Sequence, residues 1–502
     1  MKDILIGVDI GTSACKVVAF LRDGTVVAKK NRDYPVYYPK PGWAEQNPEQ
    51  WWEAVCELLK ELVRDGISAD RIAGIGVDGQ GWSAVAVSKN GSVKCRTPIW
   101  LDTRAEKICD EMKDSVGERR MFEACGNPLQ PTYTMPKVLW YKKNFPDIYR
   151  DTFKILQSNG YIVYKLTGVF SQDPSQGYGW NCYNIENGTW DFELCRELGV
   201  DPELLPEIFP CHAVVGSLTK DAALQTGLCP DIPVVAGGLD AACGALGVGV
   251  IRPGQTQEQG GQAGGMSICM ERPLADKRLI LGAHVVPGCW LLQGGTVGGS
   301  GALRWFEKEF GEEEREQAQQ NGTNSYFEID KGAAKIEPGC EGLVFLPYLS
   351  GERSPIWNPK AKGIFFGVDY RKTRVHFSRA VMEGVAFSLR HNLETAKEAG
   401  ASAGTLFAMG GAANSPLWMQ MKSDITGCEL LVPASDTATA LGAAILAGIG
   451  TGVYADFEDA VRATIHVKSR YLPNDELREK YDRAYNVYRK LYLCTESLMN
   501  ER

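Results

Sequence analysis

The sequence lacks the features that mark several classes of protein. No Gly-Lys dipeptide occurs in the 502 residues, which excludes a Walker A phosphate-binding loop. No apolar run approaches the roughly 18 residues that a transmembrane helix needs, so no membrane span and no membrane partner are predicted. The short apolar run near the N-terminus does not have the length of a signal peptide.

Histidine is scarce, and the cysteines follow no pattern. The five histidines show no H-E-x-x-H spacing, so a metalloprotease site is not supported. The 15 cysteines include no C-x-x-C pair, which argues against a zinc framework, and their odd number argues against a secreted disulfide scaffold. Free thiols in a reducing compartment are expected, and the chain is predicted to be cytoplasmic.

The chain also lacks the basic excess that nucleic-acid binding requires. Its formal charge is −8, which argues against nucleic acid as the main partner. A small anionic ligand needs only a local site and remains possible. With 44% hydrophobic and 23% charged residues, the composition is that of a soluble globular protein, long enough for two or three domains.

A strand, a Gly-rich turn and a second strand open the chain at residues 7–20, with the sequence GVDIGTSACKVVAF. Gly11 lets backbone N–H groups approach an anion, Thr12 and Ser13 add hydroxyl donors, and Lys16 adds positive charge. Asp9 at the end of the strand is a ligand type that Mg²⁺ prefers. Taken alone, the segment is more typical of a plain β-turn than of a phosphate site.

An aspartate stands between a tight turn and a small-residue helix at residues 237–244, GGLDAACG. Asp240 in that position could accept the proton of an attacking hydroxyl. It could also be an ordinary helix N-cap.

Two further Gly-rich turns are predicted in the second half of the chain. Residues 256–270 repeat the design of the opening hairpin, which suggests a duplicated architecture with a boundary near 251–254. Residues 409–415 join a strand to a helix, and their glycines could admit a base or an α-phosphate or simply form a tight link. The G-x-G-x-x-G match at 74–79 lies inside a predicted strand and is not read as a dinucleotide site.

Taken in this order, the motifs resemble those of the FGGY family of carbohydrate kinases, within the actin, hexokinase and Hsp70 ATPase superfamily. The match runs from residue 3 to about 455, and residues 347–368 look most like the xylulokinase branch. The segments that carry it are GVDIGTSACK (7–16), PIWLDTRA (98–105), GNPLQPTYTMPKVLWYKKN (126–144), GGLDAACGALG (237–247), GGSGALRWF (298–306), PYLSGERSPIWNPKAKGIFFGV (347–368), EGVAFSLR (383–390) and GGAANSPLWMQMKSDITGCELLVP (410–433).

The resemblance implies an α/β fold of two ribonuclease-H-like domains that close over a central cleft. Domain 1–250 would bind most of the sugar and carry the first phosphate hairpin and the catalytic Asp. Domain 251–502 would bind most of ATP-Mg²⁺ and end in a closing helix, predicted at 474–492. The chain would be an ATP-dependent carbohydrate kinase.

The resemblance also implies roles for individual residues. Asp240 matches the catalytic base, and Asp9 matches the magnesium-associated aspartate. Phosphate and nucleotide positions are matched by Gly11, Thr12, Ser13, Lys16, Gly261, Gln262, Gly301, Gly410, Gly411, Ala412 and Asn414. Sugar positions are matched by Gln80, Gly81, Trp82, Asp102 and Arg104, together with Asp240.

The sequence departs from the family pattern at two places. The second hairpin tip reads Gly261-Gln262-Ala263 where the family usually has a hydroxyl residue, although the Gln262 amide can still donate. The first sugar segment has Gly81 and Trp82 where xylulokinases have Met-His.

These departures leave the acceptor open. A pentulose such as D-xylulose leads, and other ketoses, deoxy-sugars and polyols remain alternatives. An ATP-binding switch without sugar turnover is a less favoured hypothesis, motivated by Gln262. A homodimer is a weaker expectation.

Overall fold

Two seven-stranded β-sheets, one from each half of the chain, form the framework of the molecule. The computed structural model describes residues 2–501. Within that range no helix has both the length and the apolar character needed to cross a membrane.

Residues 2–250 form fifteen strands and nine α-helices. The strands are β1 (Ile4–Ile10), β2 (Ala14–Leu21), β3 (Val26–Asp33), β4 (Glu45–Gln46), β5 (Ile72–Gly79), β6 (Val85–Val87), β7 (Thr97–Pro98), β8 (Lys154–Leu156), β9 (Ser171–Gln172), β10 (Tyr183–Asn184), β11 (Thr189–Trp190), β12 (Glu207–Ile208), β13 (Val214–Ser217), β14 (Pro233–Val235) and β15 (Gly238–Leu239). The helices are α1 (Pro48–Arg64), α2 (Glu106–Ser115), α3 (Glu118–Cys125), α4 (Thr134–Asn144), α5 (Pro146–Asp151), α6 (Ser158–Thr167), α7 (Phe192–Glu197), α8 (Lys220–Thr226) and α9 (Asp240–Leu246).

Residues 251–501 form nine strands and eight α-helices. The strands are β16 (Gln255–Gly260), β17 (Gly264–Met270), β18 (Ile280–Ala283), β19 (Trp290–Thr296), β20 (Val344–Leu346), β21 (Ile364–Phe366), β22 (Thr405–Met409), β23 (Glu429–Pro433) and β24 (Val467–Tyr471). The helices are α10 (Ser300–Phe310), α11 (Glu312–Asn321), α12 (Ser325–Ala333), α13 (Arg374–Glu398), α14 (Pro416–Thr426), α15 (Ala438–Gly450), α16 (Phe457–Thr464) and α17 (Arg478–Asn500).

The two sheets repeat one topology. In the first, the β1–β2 hairpin continues into β3 on one side, and β1 runs parallel to β5 on the other, followed by β14 and β13. In the second, the β16–β17 hairpin continues into β19 and β18, and β16 runs parallel to β22, followed by β23 and β24. The predicted duplication is confirmed, since each predicted hairpin opens its own sheet.

Helices α9 and α15 pack between the two sheets, and glycines let them approach closely. A Cβ on Gly7 or on Gly76 would lie 1.9 Å from a carbonyl oxygen of α15, at Ala440 and Ala443 respectively. Helix α15 therefore rests directly on the backbone of β1 and β5, although it lies late in the chain. The predicted boundary at 251–254 stays a prediction.

The predicted closing helix is confirmed, with both of its ends shifted toward the C-terminus. Helix α1 begins at Pro48 after the N-cap Asn47, whose side chain accepts from the Glu49 N–H, as expected for a proline in the first turn. Helix α17 runs from Arg478 to Asn500, longer than predicted, and buries the tyrosine stripe Tyr481, Tyr485, Tyr488 and Tyr492. The G-x-G-x-x-G match lies within β5.

Candidate active site

Three aspartates meet where neighbouring strands of the first sheet end. Asp9 on β1 lies in register with Asp78 on β5, and Asp78 lies in register with Gly238 on β15, two residues before Asp240. Because the carboxyl ends of parallel strands meet at one edge of a sheet, the topology gathers the three carboxyl groups at the cleft. Asp9 and Asp240 were predicted site residues, and Asp78 was not.

Asp240 is the first residue of α9 and lines a cleft of about 440 Å³ that Asp9 and the second hairpin tip also line. Burial raises the pKa of Asp240 to about 7, the negative charge of Asp9 adds to the rise, and the Ala241 N–H, which donates to Oδ1, opposes it. A carboxylate that titrates near neutral pH suits a general base.

The other two aspartates lie in different electrostatic surroundings. Asp9 faces Lys16 with 3.7 Å between carboxylate oxygen and Nζ. Burial raises the pKa of Asp9, and Lys16 offsets part of that rise. Asp78 is fully buried, neither of its carboxylate oxygens has a hydrogen-bond partner among residues 2–501, and burial with the neighbouring negative charges raises its pKa well above the usual range.

The first hairpin tip is fixed by its own backbone and by side chains around it. The Gly11 N–H donates to the Ala14 carbonyl at 3.1 Å, and the Tyr34 hydroxyl donates to the Gly11 carbonyl. The Trp100 indole N–H donates to Thr12 Oγ1 at 2.8 Å, which leaves the hydroxyl proton of Thr12 free to donate. Ser13 and Lys16, the other predicted phosphate contacts on this hairpin, are exposed.

The second hairpin tip, residues 261–263, rests on the N-terminus of α10. The Ser300 N–H donates to the Gly261 carbonyl, and the Gly301 N–H donates to the Gln262 carbonyl. The Gln262 side chain lies over Gly301, because a Cβ on that glycine would stand 2.3 Å from Gln262 Nε2. In this structure the amide that replaces the usual hydroxyl therefore lies against α10.

The predicted nucleotide residues line two neighbouring cavities. Gly410 lines the cleft in a left-handed conformation (φ +88°), and a Cβ there would meet the Gly260 carbonyl oxygen at 2.7 Å, so this turn requires glycine. The next residues, Gly411, Ala412 and Asn414, line a second cavity of about 380 Å³. Its other walls come from α10, α12 and the start of α14, and include Arg304, Asn324, Tyr326, Phe327, Asp330 and Trp418.

Gln80 on the predicted sugar side is buried, and one hydrogen bond holds its side chain. Its Nε2 donates to Gln46 Oε1 at 2.6 Å, and Gln46 in turn donates to the Thr12 carbonyl. The Oε1 atom of Gln80 has no partner among the described residues. Gly81 follows it and is also buried, against Leu239.

Trp82 is held in a left-handed backbone conformation (φ +57°) and packs within an aromatic cluster. Its ring centroid lies 4.9 Å from that of Tyr133 and 5.6 Å from that of Tyr178. The buried Lys137 Nζ donates to the carbonyls of Trp82 and Ile99, both at 2.8 Å, and so joins the two predicted sugar segments. The indole is half-buried, and its contact with a sugar stays a prediction.

Asp102 and Arg104 form a buried ion pair. Arg104 donates to both carboxylate oxygens of Asp102 at 2.7–3.0 Å and to Glu45, and its guanidinium stacks on Trp43 with 3.6 Å to the ring centroid. Asp102 also accepts from the Ala44 N–H. Both predicted sugar contacts are thus engaged with protein groups, and direct contact with the sugar stays a prediction.

Three features of the site were missed from the sequence. Asp78 lay within the glycine pattern that was set aside, although an Asp at the end of an apolar strand is the same signal that selected Asp9. Lys137 interrupts a buried helical face, and an isolated lysine there could have been flagged. The contribution of α12 to the second cavity had no sequence signal, since residues 325–333 read as an ordinary amphipathic helix.

Comparison with protein families gives two matches that together span most of the chain. Residues 4–247 match the N-terminal domain of the FGGY family of carbohydrate kinases, and residues 268–451 match its C-terminal domain.

Similar full-length proteins carry two different names. A xylulose kinase from Bacillus subtilis (strain 168) is 31% identical over 497 residues, 98% of this chain and 97% of that protein. A gluconokinase from the same organism is 31% identical over 499 residues, 99% of this chain and 97% of that protein.

A solved structure shows the same architecture. The crystal structure of xylulose kinase from Rhodospirillum rubrum matches with a TM-score of 0.90 at 29% identity, over 99% of this chain and all of that chain. The two sheets, the cleft between them and these matches lead to one conclusion: the chain belongs to the FGGY family of carbohydrate kinases and is a phosphotransferase enzyme that uses ATP.

Proposed function

We propose that this enzyme phosphorylates a pentulose, with D-xylulose as the first candidate acceptor. The observation that carries the proposal is Asp240, a carboxyl group with a pKa of about 7 placed in the cleft between two Gly-rich hairpins. The xylulose kinases among the similar proteins support the choice of acceptor.

Asp240 acts as the general base in this proposal. Its carboxylate takes the proton of the acceptor hydroxyl while the oxygen attacks the γ-phosphorus of ATP. The new O–P bond forms as the bond between the γ-phosphorus and the β,γ-bridging oxygen breaks. ADP leaves, and the proton remains on Asp240 until solvent removes it.

The hairpin tips hold the phosphates in this proposal. The Gly11 N–H is engaged with the Ala14 carbonyl and shapes the turn. The Gly261 backbone N–H and the free hydroxyl proton of Thr12 point to anion binding, and Ser13, Lys16 and Gln262 lie beside them. Because these donors are fixed before the reaction, they stabilise charge on the transferring group without reorganisation.

The cleft also fits a magnesium ion. The two unpartnered oxygens of Asp78 lie beside Asp9, and carboxylate oxygen is the ligand that Mg²⁺ prefers. Among residues 2–501 no cluster of three or more acidic, His or Cys side chains forms a complete cage, so water and phosphate would supply the other ligands. When bound near Asp9, the ion would neutralise phosphate charge.

The second cavity is proposed for the nucleoside end of ATP. It begins at Gly411, Ala412 and Asn414, directly after Gly410 of the phosphate cleft. Gly301 lies at the start of α10, where its N–H donates to the Gln262 carbonyl of the hairpin tip, and its neighbour Ser300 lines the second cavity. Tyr326 and Phe327 give it an aromatic wall.

The sugar is proposed to lie against residues 80–82 and 100–104. Gln80 offers an acceptor oxygen with no protein partner among residues 2–501, Gly81 beside it is packed against Leu239, and Trp82 gives an apolar face. The Asp102–Arg104 pair would contact hydroxyl groups or hold the segment in shape beneath them.

The acceptor is identified by measuring ADP release with a panel of ketoses, polyols and aldonates. D-xylulose is expected to give a kcat/KM at least about tenfold above D-ribulose, glycerol and D-gluconate, because specificity follows differential contacts in the pocket. Gluconate is included since a similar protein is named gluconokinase. If D-gluconate is turned over faster than D-xylulose, the acceptor is an aldonate and not a pentulose. If the rate of ADP release does not change with any added acceptor, an ATP-binding switch is favoured.

A homodimer and a cytoplasmic location stay predictions of the sequence. Light scattering on the purified chain tests the first, with a mass of twice 55.1 kDa expected for the dimer.

A further inference from the structure

Arg353, in the second half of the chain, contacts a side chain of the first half. Its guanidinium carbon lies 5.3 Å from the ring centroid of Trp100, which belongs to the first half. Trp100 in turn donates its indole N–H to Thr12 at the tip of the first phosphate hairpin. Arg353 thus lies one side chain away from a predicted phosphate contact.

The same side chain passes the base of the second phosphate hairpin. A Cβ on Gly295 would lie 3.9 Å from Arg353 Cδ, and Gly295 on β19 pairs with Gly265 on β17, just after the second hairpin tip. Arg353 therefore spans from the root of one hairpin to the neighbourhood of the other tip.

The residues on either side of Arg353 fix its position. Glu352 Oε1 accepts from the Val297 N–H, and the Ser354 hydroxyl accepts from the Gly295 N–H at 2.7 Å. One bond attaches the loop to β19 and the other to the residue that follows the strand, so the loop is held on both sides of Arg353. A side chain that is positioned before the reaction needs no reorganisation in the transition state.

The guanidinium itself has no hydrogen bond and no ion pair with any residue of the described range 2–501, unlike the fully engaged Arg104. Solvent reaches Arg353, yet the protein atoms around it lower its pKa by desolvation, with only the adjacent Glu352 opposing that effect. A guanidinium with five unused donors, held beside the indole that binds Thr12, is suited to a phosphoryl group.

We propose that Arg353 is a catalytic residue that donates to the transferring phosphoryl group and stabilises its charge in the transition state. The inference rests on the proposed phosphoryl transfer but not on the identity of the sugar. It also accounts for the second hairpin tip, where no hydroxyl is present and the Gln262 amide lies over Gly301. Arg353 would supply the donors that this tip lacks.

The test compares Arg353→Lys and Arg353→Gln with the parent enzyme, using the acceptor that the panel identifies. Removing one transition-state donor costs about 10²–10³ in kcat. We expect kcat to fall by about 10²-fold in Arg353→Gln and by less in Arg353→Lys, because lysine keeps the positive charge but not the planar, bidentate donors of the guanidinium. KM values for ATP and acceptor should stay within about threefold, since an interaction made only in the transition state leaves ground-state binding unchanged.

Chemical rescue separates this role from a structural one. Guanidinium ion added to Arg353→Ala should restore part of kcat, whereas a lost structural contact would not respond. Arg371→Gln is the matched control, because Arg371 is exposed and, among residues 2–501, its side chain pairs with Asp369 alone. It should retain full activity and the same melting temperature.

Three results overturn the inference. The first is an unchanged kcat in Arg353→Gln. The second is a raised acceptor KM at constant kcat, which would make Arg353 a sugar-binding residue. The third is a loss of kcat that guanidinium does not rescue at all. Failure of the proposed function looks different, because the parent enzyme would then phosphorylate no acceptor.

Discussion

Asp240 shows how a single residue obtains its chemistry from its surroundings. A carboxyl group is a weak base at its usual pKa, and the partial burial of α9's first residue, together with the charge of Asp9, brings its pKa to about 7. The neighbouring Asp78 has lost nearly all solvent contact, and burial with the charges of Asp9 and Asp240 raises its pKa well above the usual range. At Asp9, Lys16 offsets part of the rise in pKa that burial causes, so the three aspartates at one sheet edge have different electrostatic surroundings.

The pH dependence of kcat/KM follows from that value. Asp240 must be ionised to accept a proton, so kcat/KM should rise with pH through an apparent pKa near 7 and then level off. Initial rates from pH 5.5 to 8.5 check this. A profile that stays flat across pH 7 would contradict the assignment of the base.

Asp240→Asn should lower kcat by about 10²–10⁴-fold, because the amide cannot accept the proton. The fold should not suffer. A folded-state pKa raised above the unfolded value makes the ionised carboxylate cost stability as pH rises from about 4 to 7, and a neutral amide avoids that cost. Thermal unfolding at pH 8 should give a melting temperature no lower than that of the parent. Asp221→Asn, at an exposed position in α8, is the activity control.

At the level of secondary-structure elements, the contact between α15 and the first sheet fixes the positions of the ends of β1 and β5. The helix touches the backbone of β1 and β5 directly, because Gly7 and Gly76 have no side chain to hold it away. The ends of these same strands carry Asp9 and Asp78. Close packing therefore transmits any displacement of α15 to the cleft.

Gly76→Ala should destabilise the protein by about 3 kcal/mol or more. The new Cβ would lie 1.9 Å from the Ala443 carbonyl oxygen, and only a shift of the backbone of α15 or β5 could relieve that overlap. Urea unfolding measures the change. Gly332→Ala, within helix α12, is the matched control, because a Cβ there would lie 3.4 Å or more from the Val375 methyl groups, which is ordinary van der Waals contact. It should be neutral or slightly stabilising. Equal effects at both positions would contradict the packing argument.

At the scale of the whole molecule, two copies of one sheet topology face each other across the cleft, each with a hairpin tip and its share of the site. The predicted sugar residues lie in the first half and most of the nucleotide residues in the second. A ternary complex therefore has contacts to both halves at once, which favours closure and the exclusion of water.

Small-angle scattering should show a lower radius of gyration with a non-hydrolysable ATP analogue and the acceptor together than with either alone. The melting temperature should also rise most with both ligands, since a ligand at 100 times its Kd stabilises by about 2.7 kcal/mol. Unchanged scattering in the ternary complex would indicate that catalysis proceeds without closure.

The sequence by itself determined the local elements and the motifs. Apolar strands, Gly-rich turns and the repeat of the opening hairpin at 256–270 are local patterns, so they predicted both hairpins, the Asp240 turn and the family. They could place Asp9 at a strand end because a strand end is itself a local feature.

Which side chains meet depends on the folded molecule. Asp78 lies beside Asp9 because β5 pairs with β1 across the 61 residues that separate the two strands, and Arg353 reaches Trp100 only once the two halves face each other. The same packing buried the local Asp102–Arg104 pair against Ala44 and Glu45 and raised the pKa of Asp240. Burial and charge proximity depend on distances between residues far apart in the chain, and these distances exist only in the folded molecule.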